Sequence, residues 1–179
     1  QSIRSELIGF PVDMKSSIKF SIIIFSLSVN IAQYSHIISF MAKRRQTYTV
    51  KIGDIEIGSK HPIRVQSMTN TLTEDSNATA DQIKELVDAG SEIVRVTVNN
   101  DESAKSIIKI KDLLVKSNYN IPIVGDFHFN GHTLLTKYKE AASLLDKYRI
   151  NPGNIGTSNK FNENFEQLIR VAIRNNKPI

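Results

Sequence analysis

The sequence has 179 residues, a formal net charge of +5 and no cysteine. With 40% hydrophobic and 23% charged residues, it has enough apolar side chains for a packed core and falls outside the disordered class. The lack of cysteine excludes from this chain a disulfide scaffold, a thiolate nucleophile, a thiolate zinc site and a cysteine-held iron–sulfur cluster. The mild positive charge favours anionic partners without separating nucleic acid from a phosphorylated metabolite.

Residues 1–40 form an uncertain hydrophobic N-terminal extension. One interpretation is a targeting signal, in which Lys15 and Lys19 flank the apolar stretch Phe20–Val29. A membrane span is disfavoured because polar residues interrupt the apolar run. A further interpretation is a non-native extension of the reading frame, since Met41 begins a segment typical of a cytosolic start. We expect a cytoplasmic protein without a membrane span, and organellar targeting by residues 1–40 stays open.

Residues 48–58 alternate apolar and polar side chains around Gly53-Asp54, which predicts a β-hairpin. Four short β-branched runs then begin at residues 63, 93, 121 and 148. A helical pattern of apolar side chains fills each gap and follows the last run. Such repeats predict parallel strands joined by crossover helices.

The four predicted helices are indicated by two kinds of sequence signal, N-terminal caps and apolar stripes. A capping box from Thr79 to Gln82 begins the first helix, and Asp101 caps the second. Apolar stripes at residues 134–145 and 161–172 mark the third and fourth.

Polar side chains at the ends of the strands favour a (β/α)₈ barrel over a doubly wound sheet. Arg95 lies on the face opposite to the valines of its strand. Asp126 and His128 share a face at the end of the next strand, and Arg149 and Asn151 share a face at the end of the last. Barrel active sites lie at these carboxyl ends.

A complete barrel needs about eight such units in about 250 residues, and this sequence holds four units and a strand stub at residues 177–179. The predicted fold is α/β, the N-terminal half of a TIM (β/α)₈ barrel with a preceding β-hairpin. We assign residues 41–179 to a truncated TIM-barrel substrate-binding domain. Half a barrel exposes two edge strands, so we expect the natural protein to continue past Ile179.

Arg95 and Arg149, with His128 between them, predict an anion cradle. Phosphate or diphosphate fits it best, because guanidinium groups pair bidentately with their oxygens. The alternative is an internal ion pair of either arginine with Asp126 that holds the barrel together. Two further roles for Asp126 are to orient an arginine or to contact a substrate hydroxyl, and the residues leave this choice open.

Two weaker sequence signals of ligand or metal binding lie close to these residues in the chain. In the loop 151–156, Gly153 and Gly156 allow backbone N–H groups to approach a ligand, although glycine is also common in simple turns. His128 and His132 have a spacing compatible with metal binding, but no carboxylate pattern completes a site and we expect no metal there.

Four segments occur in the order and spacing of a known family: VQSMTNT (65–71), EIVRVTV (92–98), VGDFHF (124–129) and RINPGN (149–154). Together they resemble the N-terminal barrel of the 4-hydroxy-3-methylbut-2-en-1-yl diphosphate synthase family of the non-mevalonate isoprenoid pathway. The resemblance covers about residues 43–179 and is specific because the four motifs are linked.

The resemblance implies an oxidoreductase that reductively opens and dehydrates 2-C-methyl-D-erythritol 2,4-cyclodiphosphate to 4-hydroxy-3-methylbut-2-enyl diphosphate. It also implies a [4Fe-4S] cluster on three cysteines and a glutamate of a separate C-terminal domain. The resemblance further implies ferredoxin or flavodoxin as the electron donor and a homodimer in which the cluster domain of one subunit caps the barrel of the other. Because this chain has no cysteine, we expect the cluster ligands beyond Ile179 and no activity from this chain alone.

The resemblance also assigns residues. Arg95, His128 and Arg149 would contact the diphosphate, and Asp126 and Asn151 would contact or orient the substrate and its arginine neighbours. No catalytic residue and no metal ligand is assigned within this chain.

The chain departs from the family pattern at Gly125 and Phe127, where alanine and isoleucine are usual. No polar group changes, so the site assignment holds while the packing is expected to differ.

Three other functions compete with this one. The first is another phosphate-binding barrel enzyme without a cluster, such as a pterin-condensing synthase. The second is a non-catalytic fragment. A nucleic-acid-binding module rests only on the net charge and the basic run at residues 43–45, and we expect no nucleic-acid binding.

Overall fold

The computed structural model describes residues 45–151, 153, 155 and 159–179. The N-terminal extension 1–40, both interpretations of it and the domain boundary that follows it lie outside the described residues and stay predictions. All helices and strands described belong to one unit, Gln46–Ile179. No helix in these ranges is long and apolar enough to cross a membrane.

The elements follow the predicted order of a hairpin and then alternating strands and helices. The strands are β1 (Val50–Ile52), β2 (Ile55–Ile57), β3 (Gln66–Met68), β4 (Ile93–Val98), β5 (Ile123–Phe127) and β6 (Lys147–Ile150). The helices are α1 (Ser76–Asp88), α2 (Asp101–Lys116), α3 (Gly131–Lys137), α4 (Lys139–Leu144) and α5 (Asn159–Asn175).

Strands β3 to β6 form one parallel sheet in chain order, and β1 and β2 form an antiparallel pair. Consecutive parallel neighbours with a helical crossover between them are the repeating unit of a barrel wall. The register places Thr97 beside Asp126 and Asp126 beside Arg149. Polar side chains of successive strands therefore lie at one level of the sheet.

The two faces of this sheet bury different groups. Val94, Val96 and Val98 are buried in the main core between the sheet and the helices. On the other face, Ile93 and Val124 pack against Ile52 of the hairpin in a second cluster. Because both residues lie near the amino ends of their strands, the hairpin covers that end of the inner face and leaves the carboxyl ends to the polar residues.

Both predicted helix starts are wrong. Helix α1 begins at Ser76, with the Asp75 side chain as its N-cap, and the predicted N-cap Thr79 lies four residues later, inside the helix. The N-cap of α2 is Asn100 rather than Asp101. A capping residue must have non-helical backbone angles, and neighbouring Asp, Asn and Thr residues give no sequence signal of which one adopts them.

The predicted third helix is two helices. The backbone at Tyr138, with φ −104° and ψ 69°, leaves the helical region between α3 and α4. The two segments pack on different neighbours, α3 on α5 and α4 on α2. A single apolar stripe in the sequence could not show this division.

The departures at Gly125 and Phe127 compensate each other. A Cβ atom built on Gly125 would lie 2.7 Å from Cε2 of Phe127 and 2.7 Å from Cδ1 of Leu145. The Phe127 ring therefore occupies the space that a methyl group at position 125 would need. The Phe127 ring forms an edge-to-face pair with the buried Tyr148 ring, with the centroids 6.0 Å apart and the planes at 83°, a favourable aromatic geometry.

We expect Gly125→Ala to destabilise the chain by about 1–3 kcal/mol, because overpacking forces a core to shift. Combining it with Phe127→Ile should cost less than the sum of the two single changes, since the smaller side chain relieves one of the two clashes. Chemical denaturation of the four proteins of this cycle measures the coupling. Strictly additive losses would contradict the proposed compensation.

Burial raises the pKa of Tyr148 to about 12, from an ordinary value of about 10, and its hydroxyl donates to the Ala142 carbonyl oxygen at 2.6 Å. The folded state thus holds this proton more tightly than the unfolded state. We expect the resulting stability to be complete below about pH 10 and to be lost as the pH rises toward about 12. Urea unfolding across this range should show a shallower loss in Tyr148→Phe. The exposed-residue control Tyr48→Phe should follow the wild type, and identical pH slopes for all three proteins would refute the assignment.

Candidate anion-binding site

Three of the predicted site residues meet at the carboxyl end of the sheet. Arg149 donates from Nη1 to Oδ1 of Asp126 at 2.8 Å, and Nε of Arg95 lies 3.5 Å from Oδ2 of Asp126. Each oxygen of the carboxylate thus faces one arginine. The three residues come from β4, β5 and β6, whose register brings them to neighbouring positions of the inner face.

The three side chains differ in how far they are buried, and their charges do not cancel. The Asp126 side chain is 5% exposed, while those of Arg95 and Arg149 are 28% and 39% exposed. A buried carboxylate is costly unless it is paired and hydrogen-bonded, and the two guanidinium groups satisfy it. Two positive groups and one negative group leave a net positive charge facing the open side.

The arginines keep donors that no described residue uses. A guanidinium group has five N–H donors, and Arg149 uses only one of them, at Nη1, on a described partner. On Arg95, Nη1 makes no hydrogen bond to a described residue. The structure therefore contains the ion pairs that the sequence left as an alternative, and it also leaves charged donors that can bind an anion.

Met68 is a member of the cluster that the sequence did not reveal. Its Sδ atom lies 3.2 Å from Nε and 3.1 Å from Nη2 of Arg95, both of which donate to it. Met68 is the direct neighbour of Arg95 in the β3–β4 ladder. The alternation of β3 does put Met68 on the same face as Gln66 and Asn70, but the contact depends on the register between two strands.

The other two predicted residues lie at the same edge without joining the ion pairs. His128 directly follows β5, is half-buried and makes no hydrogen bond or ion pair within the described part of the chain. Asn151 follows β6, is exposed, and accepts the N–H of Gly153 through Oδ1 at 3.1 Å. The Gly153 N–H that was expected to approach a ligand is thus bound within the loop, and Gly156 lies outside the described residues.

A second polar group at this edge comes from α1. Gln82 accepts the backbone N–H groups of Asn70 and Thr71 through Oε1 at 2.9 and 3.2 Å, and its Nε2 donates to the Asn70 side chain. Gln82, predicted to complete a capping box, instead holds the loop after β3. This interaction fixes Asn70 beside the carboxyl end of the sheet.

The described residues do not form a metal site. Across the ranges that the structure describes, no three His, Cys, Asp or Glu side chains are grouped to hold a metal ion. Burial lowers the pKa of His132, whose Nδ1 atom is enclosed without a described hydrogen-bond partner, so the neutral ring is favoured. The absence of cysteine from the sequence also means that these residues do not fit a thiolate-held cluster.

A cavity of about 800 Å³ lies apart from this cluster. Its lining includes Val50, Asp146, Ile173 and Lys177 and none of the five predicted site residues. Asp146 there accepts the Ile123 N–H at 2.8 Å, at the amino end of β5. Because barrel chemistry resides at the opposite, carboxyl ends, the ion-paired cluster is the better candidate site.

A protein-family model described as the GcpE TIM-barrel domain matches residues 47–179. The match spans about three quarters of the sequence and includes the hairpin, the parallel sheet and all five predicted site residues. It confirms the predicted fold class and the resemblance drawn from the four motifs.

We expect Asp126→Asn to destabilise the chain by about 1–3 kcal/mol, because it leaves two partly exposed arginines without their shared counter-charge. Thermal or chemical unfolding measures the loss. The matched control is Glu102→Gln, which removes a carboxylate from an exposed pair with Lys105 and should change stability little. Equal effects of the two substitutions would show that the buried carboxylate does not stabilise the sheet.

Proposed function

This chain belongs to the GcpE family of isoprenoid-biosynthesis enzymes, and we propose that its protein converts 2-C-methyl-D-erythritol 2,4-cyclodiphosphate to 4-hydroxy-3-methylbut-2-enyl diphosphate. The single observation that carries this proposal is the arginine pair bridged by Asp126 at the carboxyl end of the sheet. The pair lies inside the matched domain and combines a net positive charge with unused guanidinium donors.

In this proposal, the two arginines bind the diphosphate of the substrate. Arg149 offers Nε and Nη2, and Arg95 offers Nη1, so two planar groups on the strands that flank β5 hold the oxygens from different directions. Asp126 holds both guanidinium groups in place before the substrate arrives, which lowers the entropy lost on binding. His128 supplies a further hydrogen bond, and Asn151 orients the loop after β6.

The proposed reaction adds two electrons and two protons and releases one water, so it needs a reductant from outside this chain. We propose ferredoxin or flavodoxin as the donor and a [4Fe-4S] cluster held by cysteines outside this sequence, in a cytoplasmic homodimer. The cluster supplies the electron transfer when it is bound. The residues of this chain contribute the binding and orientation of the diphosphate, the part of the reaction that their charges and donors can perform.

Arg149→Ala, made in the complete cluster-containing enzyme, tests the diphosphate assignment. Losing hydrogen bonds between charged groups worth about 1.5–3 kcal/mol should raise KM by about 10- to 150-fold. Steady-state kinetics with the cyclic diphosphate measures the change, and Arg170→Ala is the control, because Arg170 is an exposed α5 residue paired only with Glu166 in the described structure.

Two results would contradict the proposal. A wild-type enzyme that does not convert the cyclic diphosphate under reducing conditions would refute the reaction. Unchanged KM and kcat in Arg149→Ala would show that Arg149 is purely structural.

A further inference from the structure

The contact between Met68 and Arg95 has a chemical character that the rest of the cluster lacks. Two N–H groups of one guanidinium, at Nε and Nη2, point to a single sulfur atom at 3.2 and 3.1 Å. Met68 is also 39% exposed, so its side chain is not simply filling a gap in the core. The sulfur accepts from two charged donors.

A thioether differs from the acceptors usually found beside an arginine. It is neutral and accepts hydrogen bonds weakly, whereas a carboxylate would cancel the charge of its partner. Asp126 already balances one arginine of the pair. A second carboxylate at position 68 would bring the cluster to neutrality and remove its attraction for an anion.

The contact also sets the orientation of the Arg95 guanidinium group. A guanidinium group is planar and rigid, so holding its Nε and Nη2 edge determines where the remaining edge points. On Arg95, Nη1 is the nitrogen without a hydrogen bond to a described residue. The sulfur contacts Nε and Nη2, and Asp126 Oδ2 lies 3.5 Å from the same Nε. These contacts together restrict the rotation of the group.

We propose that Met68 is a positioning residue for anion binding, whose thioether holds the Arg95 guanidinium with its Nη1 edge free while leaving its charge uncompensated. This inference deepens the proposed function and rests on it for the identity of the anion. Met68 itself makes no contact with the diphosphate in this proposal and acts through Arg95.

Two substitutions of similar size separate this role from simple packing. Met68→Leu keeps the apolar volume and removes the acceptor, whereas Met68→Gln keeps an acceptor at a similar reach and loses apolar character. If Met68 only packs, leucine should be the better replacement. If it positions Arg95, leucine should weaken affinity for inorganic diphosphate about three- to tenfold and glutamine should stay within about twofold of the wild type.

Isothermal titration of the full chain with inorganic diphosphate gives these affinities, and KM and kcat of the complete enzyme give the second readout. We expect Met68→Leu to raise KM with little change in kcat, because only binding of the diphosphate is affected. Leu72→Ala, which alters an exposed side chain in the following loop, is the control and should leave both values unchanged. Leucine performing as well as or better than glutamine would overturn the proposal.

The Arg95 Nε–H signal in ¹H–¹⁵N spectra tests the positioning without any ligand. We expect its shift and solvent exchange to change in Met68→Leu and to stay close to wild type in Met68→Gln. If the wild type binds no diphosphate, the proposed function fails and this signal alone decides the role of Met68. An Arg95 signal unchanged in Met68→Leu would overturn the positioning role, whatever the affinities show.

Discussion

The buried carboxylate of Asp126, shared between Arg95 and Arg149, is the interaction on which the rest of the site depends. Neither kind of charge is stable alone on the inner face of a sheet, because removing an ion from water costs several kcal/mol unless a partner replaces the solvent. Two guanidinium groups around one carboxylate balance the buried negative charge and leave the cluster with a net charge of one positive group. In the proposed function, the same contacts that stabilise the sheet also prepare it to bind an anion.

This interaction requires a regular parallel sheet, which packing on both faces of the sheet holds in place. The valines of β4 pack against the helices, so the alternation of the strand turns Arg95 to the inner face. At the amino ends, the hairpin residue Ile52 buries Ile93 and Val124, which leaves only the carboxyl ends open. The core and the hairpin therefore determine both the face and the end of the sheet at which the charged residues gather.

Much of this arrangement could be predicted. The hairpin, the four strands and the common edge of Arg95, Asp126 and Arg149 follow from the alternation of side chains and from the strand–helix spacing, because both are regular along the chain. The helix starts at Ser76 and Asp101 and the break at Tyr138 could not be predicted. They depend on backbone angles and on which neighbour each turn packs against, and several nearby residues satisfy the same sequence rules.

The sequence by itself determined which residues carry charge, which face of each strand they occupy and which family the motifs resemble. Only the tertiary structure decided that each arginine faces a different oxygen of Asp126, that Met68 holds Arg95, and that the Gly153 N–H is used within its own loop. The reason is physical. Alternation along one strand is a local property, but the register between strands about thirty residues apart is set by how the crossover helices pack, and distances of about 3 Å depend on that register.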